Sequence, residues 1–317
     1  MKSIISFVAI CAVIIAAVCI GFGAYVWHWD HRPHVLEIYC FALDKSGNSP
    51  GNLAVFIRTP DGHTILIDGG KSSSIVSTLG SIMPFYRRSI DTIISTNPDD
   101  SHITGLVTVL ARYHVGKIVQ FNAAVSSSIA TSSTGSSTAD SAYLALIDEI
   151  AKQKIPTIEV SAGNSIDFGD PAISAQVLFP PDPSSPDFQF SKTNAPVFAF
   201  LFRYGSTTVL LGGDLTKKEQ EYVAGEIASS TDSSQHLLIL PHAENVGTMD
   251  ERFFEVYAPN SIVVLKKPAS QSRAKNSPKK PPFDISSVSN LSVANLTVDG
   301  DVEFISDGSI FSEKKLK

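Results

Sequence analysis

Three stretches of this 317-residue chain place acids or histidines in turns that directly follow apolar, strand-like runs. The first is R-T-P-D-G-H-T-I-L-I-D-G-G, from Arg58 to Gly70, where a strand ends on Asp68 and Gly69-Gly70 lets the backbone turn sharply. The second is T-N-P-D-D-S-H-I-T-G-L, from Thr96 to Leu106, a polar loop followed by a helical pattern. The third pairs L-L-G-G-D, ending at Asp214, with L-P-H at Leu240–His242. Carboxylates and imidazoles at strand ends are the residue types that hold a divalent ion. Rival chemistries lack their signatures: no G-x-S-x-G elbow is present, and no Gly-rich loop with a lysine follows a strand. His63, His114 and His236 read as ordinary surface or core residues.

The elements that must position these turns alternate between strand-like and helix-like to the end of the chain. Val35–Cys40, Asn52–Thr59 and Thr64–Asp68 read as strands, with Asp61-Gly62 as the turn between the second and third. Ile75–Tyr86, Leu106–Tyr113, Ala142–Lys154 and Lys217–Glu226 have helical patterns, the third with Leu144, Ile147, Ile150 and Ala151 on one stripe. Thr92–Ser95 is a short buried strand. Ser165–Phe168, Ala175–Phe179, Phe198–Tyr204 and Thr207–Leu211 read as strands of a second sheet, and Leu237–Leu240 as a further strand. Ser126–Ser141 is Ser/Thr-rich and reads as a surface loop.

Before all of this, no charge interrupts Ile4 to Val26, a run rich in Ile, Val and Ala. At about 1.5 Å per residue it crosses a hydrocarbon core of roughly 30 Å. Tyr25, Trp27 and Trp29 stand at its far end, where amphipathic rings favour a membrane interface. The run exceeds the apolar length of a cleaved signal, so it is expected to be a retained anchor. Residues 1–34 are thus read as anchor and juxtamembrane segment, and 35–317 as one domain. Lys2 precedes the span while Asp30 and Arg32 nearly cancel after it. The positive-inside bias then gives a single-pass plasma-membrane protein with an extracytoplasmic domain. His28, His31 and His34 follow the span, and without a completing acid other than Asp30 they read as an interfacial, solvated set.

The net charge of -6 and pI near 5.7 give no reason to expect nucleic-acid binding over the whole surface. Lys266–Pro282 is the exception, with Lys266, Lys267, Arg273, Lys275, Lys279 and Lys280 and no acid. It reads as a solvated insertion, or as a contact for DNA or an anionic wall polymer. Cys11 and Cys19 fall in the apolar run, leaving Cys40 without a partner for an intradomain disulfide.

In this order the three turns resemble those of the metallo-β-lactamase superfamily, most nearly the C-terminal domain of the competence protein ComEC. The motifs that carry the resemblance are T-P-D-G-x-T-I-L-I-D-G-G and the run from Asn194 through Tyr204-Gly205 to Gly213-Asp214. It covers about Val35 to Ile310 and implies an αββα sandwich with its site at the sheet ends. The resemblance also exposes losses. Where the subgroup resembles T-H-x-D-x-D-H, this chain keeps Thr96, Asp99 and His102 but has Asn97 and Ser101. Asp214 matches the bridging aspartate. His242 matches the first histidine of a P-H-H-G-S that reads here P-H-A-E-N, and a G-Q-G-D stretch is replaced by Lys45–Gly51.

A catalytic zinc needs about three protein ligands and an open position for water. The implied ligands are His102, Asp214, His242 and Asp99, with Asp99 also the residue to orient an attacking water. Two metals are not expected. One zinc or manganese ion is the most this set would hold, and none if the site is erased. Two expectations follow: a membrane-anchored ComEC-like module with impaired or absent hydrolase activity, kept for surface binding or scaffolding, or an active single-metal phosphodiesterase linked to DNA uptake.

Overall fold

The computed structural model describes residues 2–30, 34–45, 52–120, 139–182, 197–228, 235–240, 249–265 and 288–316. Its first helix, α1 (Lys2–Asp30), carries the whole apolar run. Among the described residues no helix is long and apolar enough to cross a membrane.

Strands β1 (Leu36–Leu43), β2 (Asn52–Arg58) and β3 (Thr64–Ile67) form an antiparallel meander. β4 (Ser89–Ile94), β5 (His114–Gln120) and β6 (Thr157–Glu159) add to it in parallel. β13 (Val302–Ser306) and β14 (Phe311–Lys315) close the other edge, giving the order β14-β13-β1-β2-β3-β4-β5-β6. A second sheet runs β12 (Ser292–Asn295), β11 (Ser261–Val264), β10 (Gln235–Leu240), β9 (Thr207–Leu211), β8 (Ala199–Tyr204), β7 (Ile173–Phe179).

Strand alternation shows why both faces are covered. Along β1, Leu36, Ile38, Cys40 and Ala42 meet Phe200, Phe202 and Ile239 of the second sheet, while Tyr39, Phe41 and Leu43 point outward. The outward face receives α2 (Ser74–Ile82), α3 (Asp100–Leu110) and α4 (Ala139–Gln153) through Leu79, Leu106 and Leu146. The second sheet's outer face receives α5 (Lys217–Ala228) and α6 (Glu251–Tyr257) through Val223, Ile227 and Phe253. The layers are therefore helix, sheet, sheet, helix, as the turn motifs implied. A one-turn helix, α7 (Leu296–Asp299), links β12 to β13.

Three expectations need correction. The helix read as Ile75–Tyr86 stops at Ile82, because Pro84 disfavours helical geometry at Met83, which is extended with ψ 145°. The helix read as Leu106–Tyr113 starts at Asp100, so His102 sits in its first turn and not in a loop. Ser165–Phe168 forms no strand; Ser165 makes only an isolated bridge to Gln176.

Strand direction gives the sandwich two distinct edges. β1, β3, β4 and β5 run the same way, and β9, β10 and β11 are mutually parallel. Phe198 N–H donates to Thr96 O at 3.1 Å at one edge, and Thr207 Oγ1 meets Ser306 Oγ at 2.8 Å at the other. The ends at Asp68, Thr96, Asp214 and Leu265 thus share one edge. His34, the Thr59–His63 turn, residues 84–88 and 111–113 share the opposite edge, where buried Arg58 lies 3.5 Å from Glu37.

The site edge depends on a close backbone approach. Gly69 N–H donates to His102 O at 2.7 Å and Gly105 N–H to Gly70 O at 3.0 Å, laying α3 directly on the turn after β3. A Cβ on Gly105 would stand 1.9 Å from Gly69 O. Gly105→Ala is expected to lower the unfolding free energy by roughly 2–3 kcal/mol, measured by urea unfolding. A change within about 0.5 kcal/mol, the range of surface substitutions, would mean that α3 yields freely there.

Candidate functional site

Asp68 ends β3 with φ +58°, a left-handed conformation that is uncommon outside glycine. That turn aims its carboxylate across the edge at the next strand end. Oδ1 accepts from Thr96 N–H at 2.8 Å, and Oδ2 from Thr96 Oγ1 at 2.5 Å and from His102 Nδ1 at 2.8 Å. Both Asp68 and Thr96 are buried. His102 reaches this carboxylate from the first turn of α3, and the ring's other nitrogen, Nε2, lies 3.3 Å from Asp214 Oδ2. Asp214 is delivered by the Gly212-Gly213 turn after β9. Gly213 has φ +52°, and a Cβ there would meet Phe198 O at 2.5 Å, so glycine is required for Asp214 to arrive.

The result is one imidazole held between two carboxylates. Burial opposes its charged form, but the charges and hydrogen bonds of Asp68 and Asp214 outweigh that cost and push His102 up to about 10 from an ordinary 6.5. Around this clamp the residues that replace the expected ligands have structural work. Asn97 is buried, and its Oδ1 accepts from Asp99 N–H at 2.9 Å, shaping the loop before α3. Ser101 is half-buried in the first turn of α3. Behind Asp68 and Thr96, a cavity of about 20 Å³ bounded by Phe198, Leu211, Gly213 and Ile239 separates the sheets. It has room for about one water molecule, so a ligand of any size must bind outside it.

Of the residues expected to hold a metal, the structure brings His102 and Asp214 together. Asp99 is exposed at the N-cap of α3, and His242 lies outside the described residues, as does the basic stretch from Lys266. Among the described residues no group of three or more His, Cys, Asp or Glu side chains is arranged to hold an ion. The Nε2–Oδ2 separation of 3.3 Å equals the edge of a tetrahedron with metal bonds of about 2.0–2.1 Å. Asp68 on Nδ1 is placed like the carboxylate that orients a metal-bound histidine. The described residues thus supply one edge of a metal site and its orienting group, but not a complete site.

Asp68 is the functional residue that motif matching underrated. Its signal was present in the Asp-Gly-Gly that ends an apolar strand, but sequence alone does not show that the carboxylate reaches both Thr96 and His102. The remaining histidines are placed separately. His236 Nδ1 lies 2.8 Å from Thr208 Oγ1, His63 packs over Gly169, His114 is exposed, and His34 Nδ1 lies 3.2 Å from Pro60 O.

No protein-family model matches the sequence, and no curated protein matches it. Solved structures do match. A long-form RNase Z from yeast superposes with a TM-score of 0.53 at 8% identity, over 89% of this chain and 50% of that one. Unliganded yeast PDE1 gives 0.51 at 11% identity, over 86% and 99%. The diiron β-hydroxylase CmlA from Streptomyces venezuelae gives 0.45 at 14% identity, over 73% and 44%. The chain therefore spans about half the length of some of the solved proteins it matches. At these identities the likeness is one of fold alone.

The clamp makes stability depend on pH in a defined direction. Because the folded-state value is raised, its stabilisation is complete below about pH 6.5 and is lost as pH rises through about 10. Moving from about pH 7 to above 10 is expected to lower the unfolding free energy by a few kcal/mol, on the order of the shift itself. Asp68→Asn, which removes one carboxylate, is expected to flatten that dependence. Equal slopes for the wild type and Asp68→Asn in urea unfolding at a series of pH values would contradict the clamp.

Proposed function

We propose that this chain is a membrane-anchored, ComEC-like module of the metallo-β-lactamase fold that binds a polyanion outside the cell membrane and has lost efficient hydrolase chemistry. The observation that carries the reading is the clamp on His102. Both ring nitrogens face carboxylates, at 2.8 Å and 3.3 Å. Asn97 and Ser101, at positions where the resemblance implies ligands, support the same reading.

Anchoring is supported by α1 itself. Phe7, Ile10, Val13, Ile14, Val18 and Ile20 are all exposed, and a helix that is apolar on every side belongs in a core or a bilayer. Polyanion binding is supported by composition: six cations and no acid lie between Lys266 and Pro282. DNA and an anionic wall polymer both offer the repeated negative charge that such a run would engage.

A second reading, one zinc or manganese ion in a phosphodiesterase linked to DNA uptake, draws support from the 3.3 Å ligand-like edge between His102 and Asp214. His242 and Asp99 would have to complete it.

The readings separate in two assays on the full chain in lipid nanodiscs. With zinc or manganese added, no turnover of a phosphodiester above the metal-free level is expected. Turnover abolished by Asp214→Ala would overturn the binding reading in favour of the hydrolase. Affinity for duplex DNA or a wall polymer is expected to fall steeply with salt, with a log–log slope approaching about −5 on DNA if all six cations engage. Affinity insensitive to salt would remove the polyanion.

A further inference from the structure

The edge opposite the site carries an aromatic turn whose Met83 joins the outer core while the rings that follow it do not. The turn between α2 and β4 reads Met83-Pro84-Phe85-Tyr86-Arg87-Arg88. Met83 and Pro84 are buried, but Phe85 is 67% exposed, a large apolar ring presented outward from a loop tip. Its neighbours come from α1. Phe22 lies 5.8 Å from Phe85 and 6.0 Å from Tyr86 between ring centroids, and Tyr25 lies 6.2 Å from Tyr86.

Phe22 and Tyr25 belong to the last turns of the uncharged run Ile4–Val26. Whatever surrounds that part of α1 therefore also surrounds Phe85. Basic groups follow at once. Arg88 is exposed with its guanidinium 5.8 Å from the Tyr113 ring, and Arg112 beside Tyr113 is exposed as well. Arg87 is held differently, donating to Gly62 O at 3.0 Å and lying 3.7 Å from Asp91. That fixes the turn's base on the β2–β3 connection.

We infer that the Pro84–Arg88 turn is a second membrane contact, in which Phe85 enters the bilayer interface beside Phe22 and Tyr25 while Arg88 and Arg112 face lipid phosphates. This rests on the reading of α1 as an anchor. Tyr25 has the amphipathic ring that favours the interface, Phe22 and Phe85 supply apolar rings of the kind that enter the headgroup–acyl boundary, and exposed arginines beside them suit lipid phosphates. The contact would stop the domain from swinging on its anchor. Since His34 and residues 84–88 share one sheet edge and Asp68, Asp214 and Leu265 the other, the candidate site would face away from the bilayer. A strand such as β2 separates the two edges by roughly 20 Å.

The full chain can report this by fluorescence. The two native tryptophans are replaced by Trp27→Phe and Trp29→Phe, and one tryptophan is returned per variant, as Phe85→Trp, Lys71→Trp or Ile14→Trp. Each is reconstituted in nanodiscs of phosphatidylcholine and phosphatidylglycerol, with or without chains brominated near the headgroup or, for the Ile14→Trp control, at mid-chain. Phe85→Trp is expected to be quenched at least about twofold more than Lys71→Trp at the site edge, and to emit at shorter wavelength, as an interfacial ring does. If Phe85→Trp is quenched no more than Lys71→Trp while Ile14→Trp is quenched, the second contact is refuted and the anchor stands. If Ile14→Trp is not quenched either, the anchor reading fails and this inference fails with it.

Discussion

The arrangement of this molecule's site edge depends on the Asp68 carboxylate. In one group it receives the backbone and hydroxyl of Thr96 from the end of β4 and the ring of His102 from α3. The ends of β3 and β4 and the start of α3 are thereby held at one point. Through Thr96 O the tie extends to Phe198 in the second sheet, and through His102 Nε2 to Asp214 at the end of β9. The cost is a non-glycine residue at φ +58° and three buried polar side chains, which a fold keeps only where the surroundings satisfy them. Here Asp68 accepts from Thr96 and meets His102 within the edge itself.

Much of the architecture was readable from alternation. Strands such as Asn52–Thr59 and Thr207–Leu211 are apolar on both faces, which requires cover on both sides, and the four-layer sandwich supplies it. The misreadings were local and share a cause. Helix limits at Met83 and Asp100 are decided by Pro84 and by the polar residues before α3, not by apolar spacing. The parallel strands β11 and β12, with few residues each, had too short a pattern to stand out. In the candidate site, Asp214 and His102 were legible as residue types at strand ends. Their mutual distance and the reach of Asp68 depend on the left-handed turn at Asp68 and on Gly213, which are backbone properties that no spacing rule encodes.

The two edges of the sandwich divide its tasks. One gathers the strand ends that form the clamp; the other receives α1 and the Phe85 turn. The strands, the glycine turns and the inter-sheet core that hold Asp214 and His102 are the same ones that hold the fold.

The central claim is that carboxylates, not a metal, occupy both nitrogens of His102. Elemental analysis of the purified full chain after equilibration with excess zinc or manganese and removal of unbound ions tests it most directly. The account predicts far less than one ion per chain, unchanged by His242→Ala. One zinc or manganese per chain, lost on His242→Ala or Asp214→Ala, would contradict it and establish the single-metal site instead.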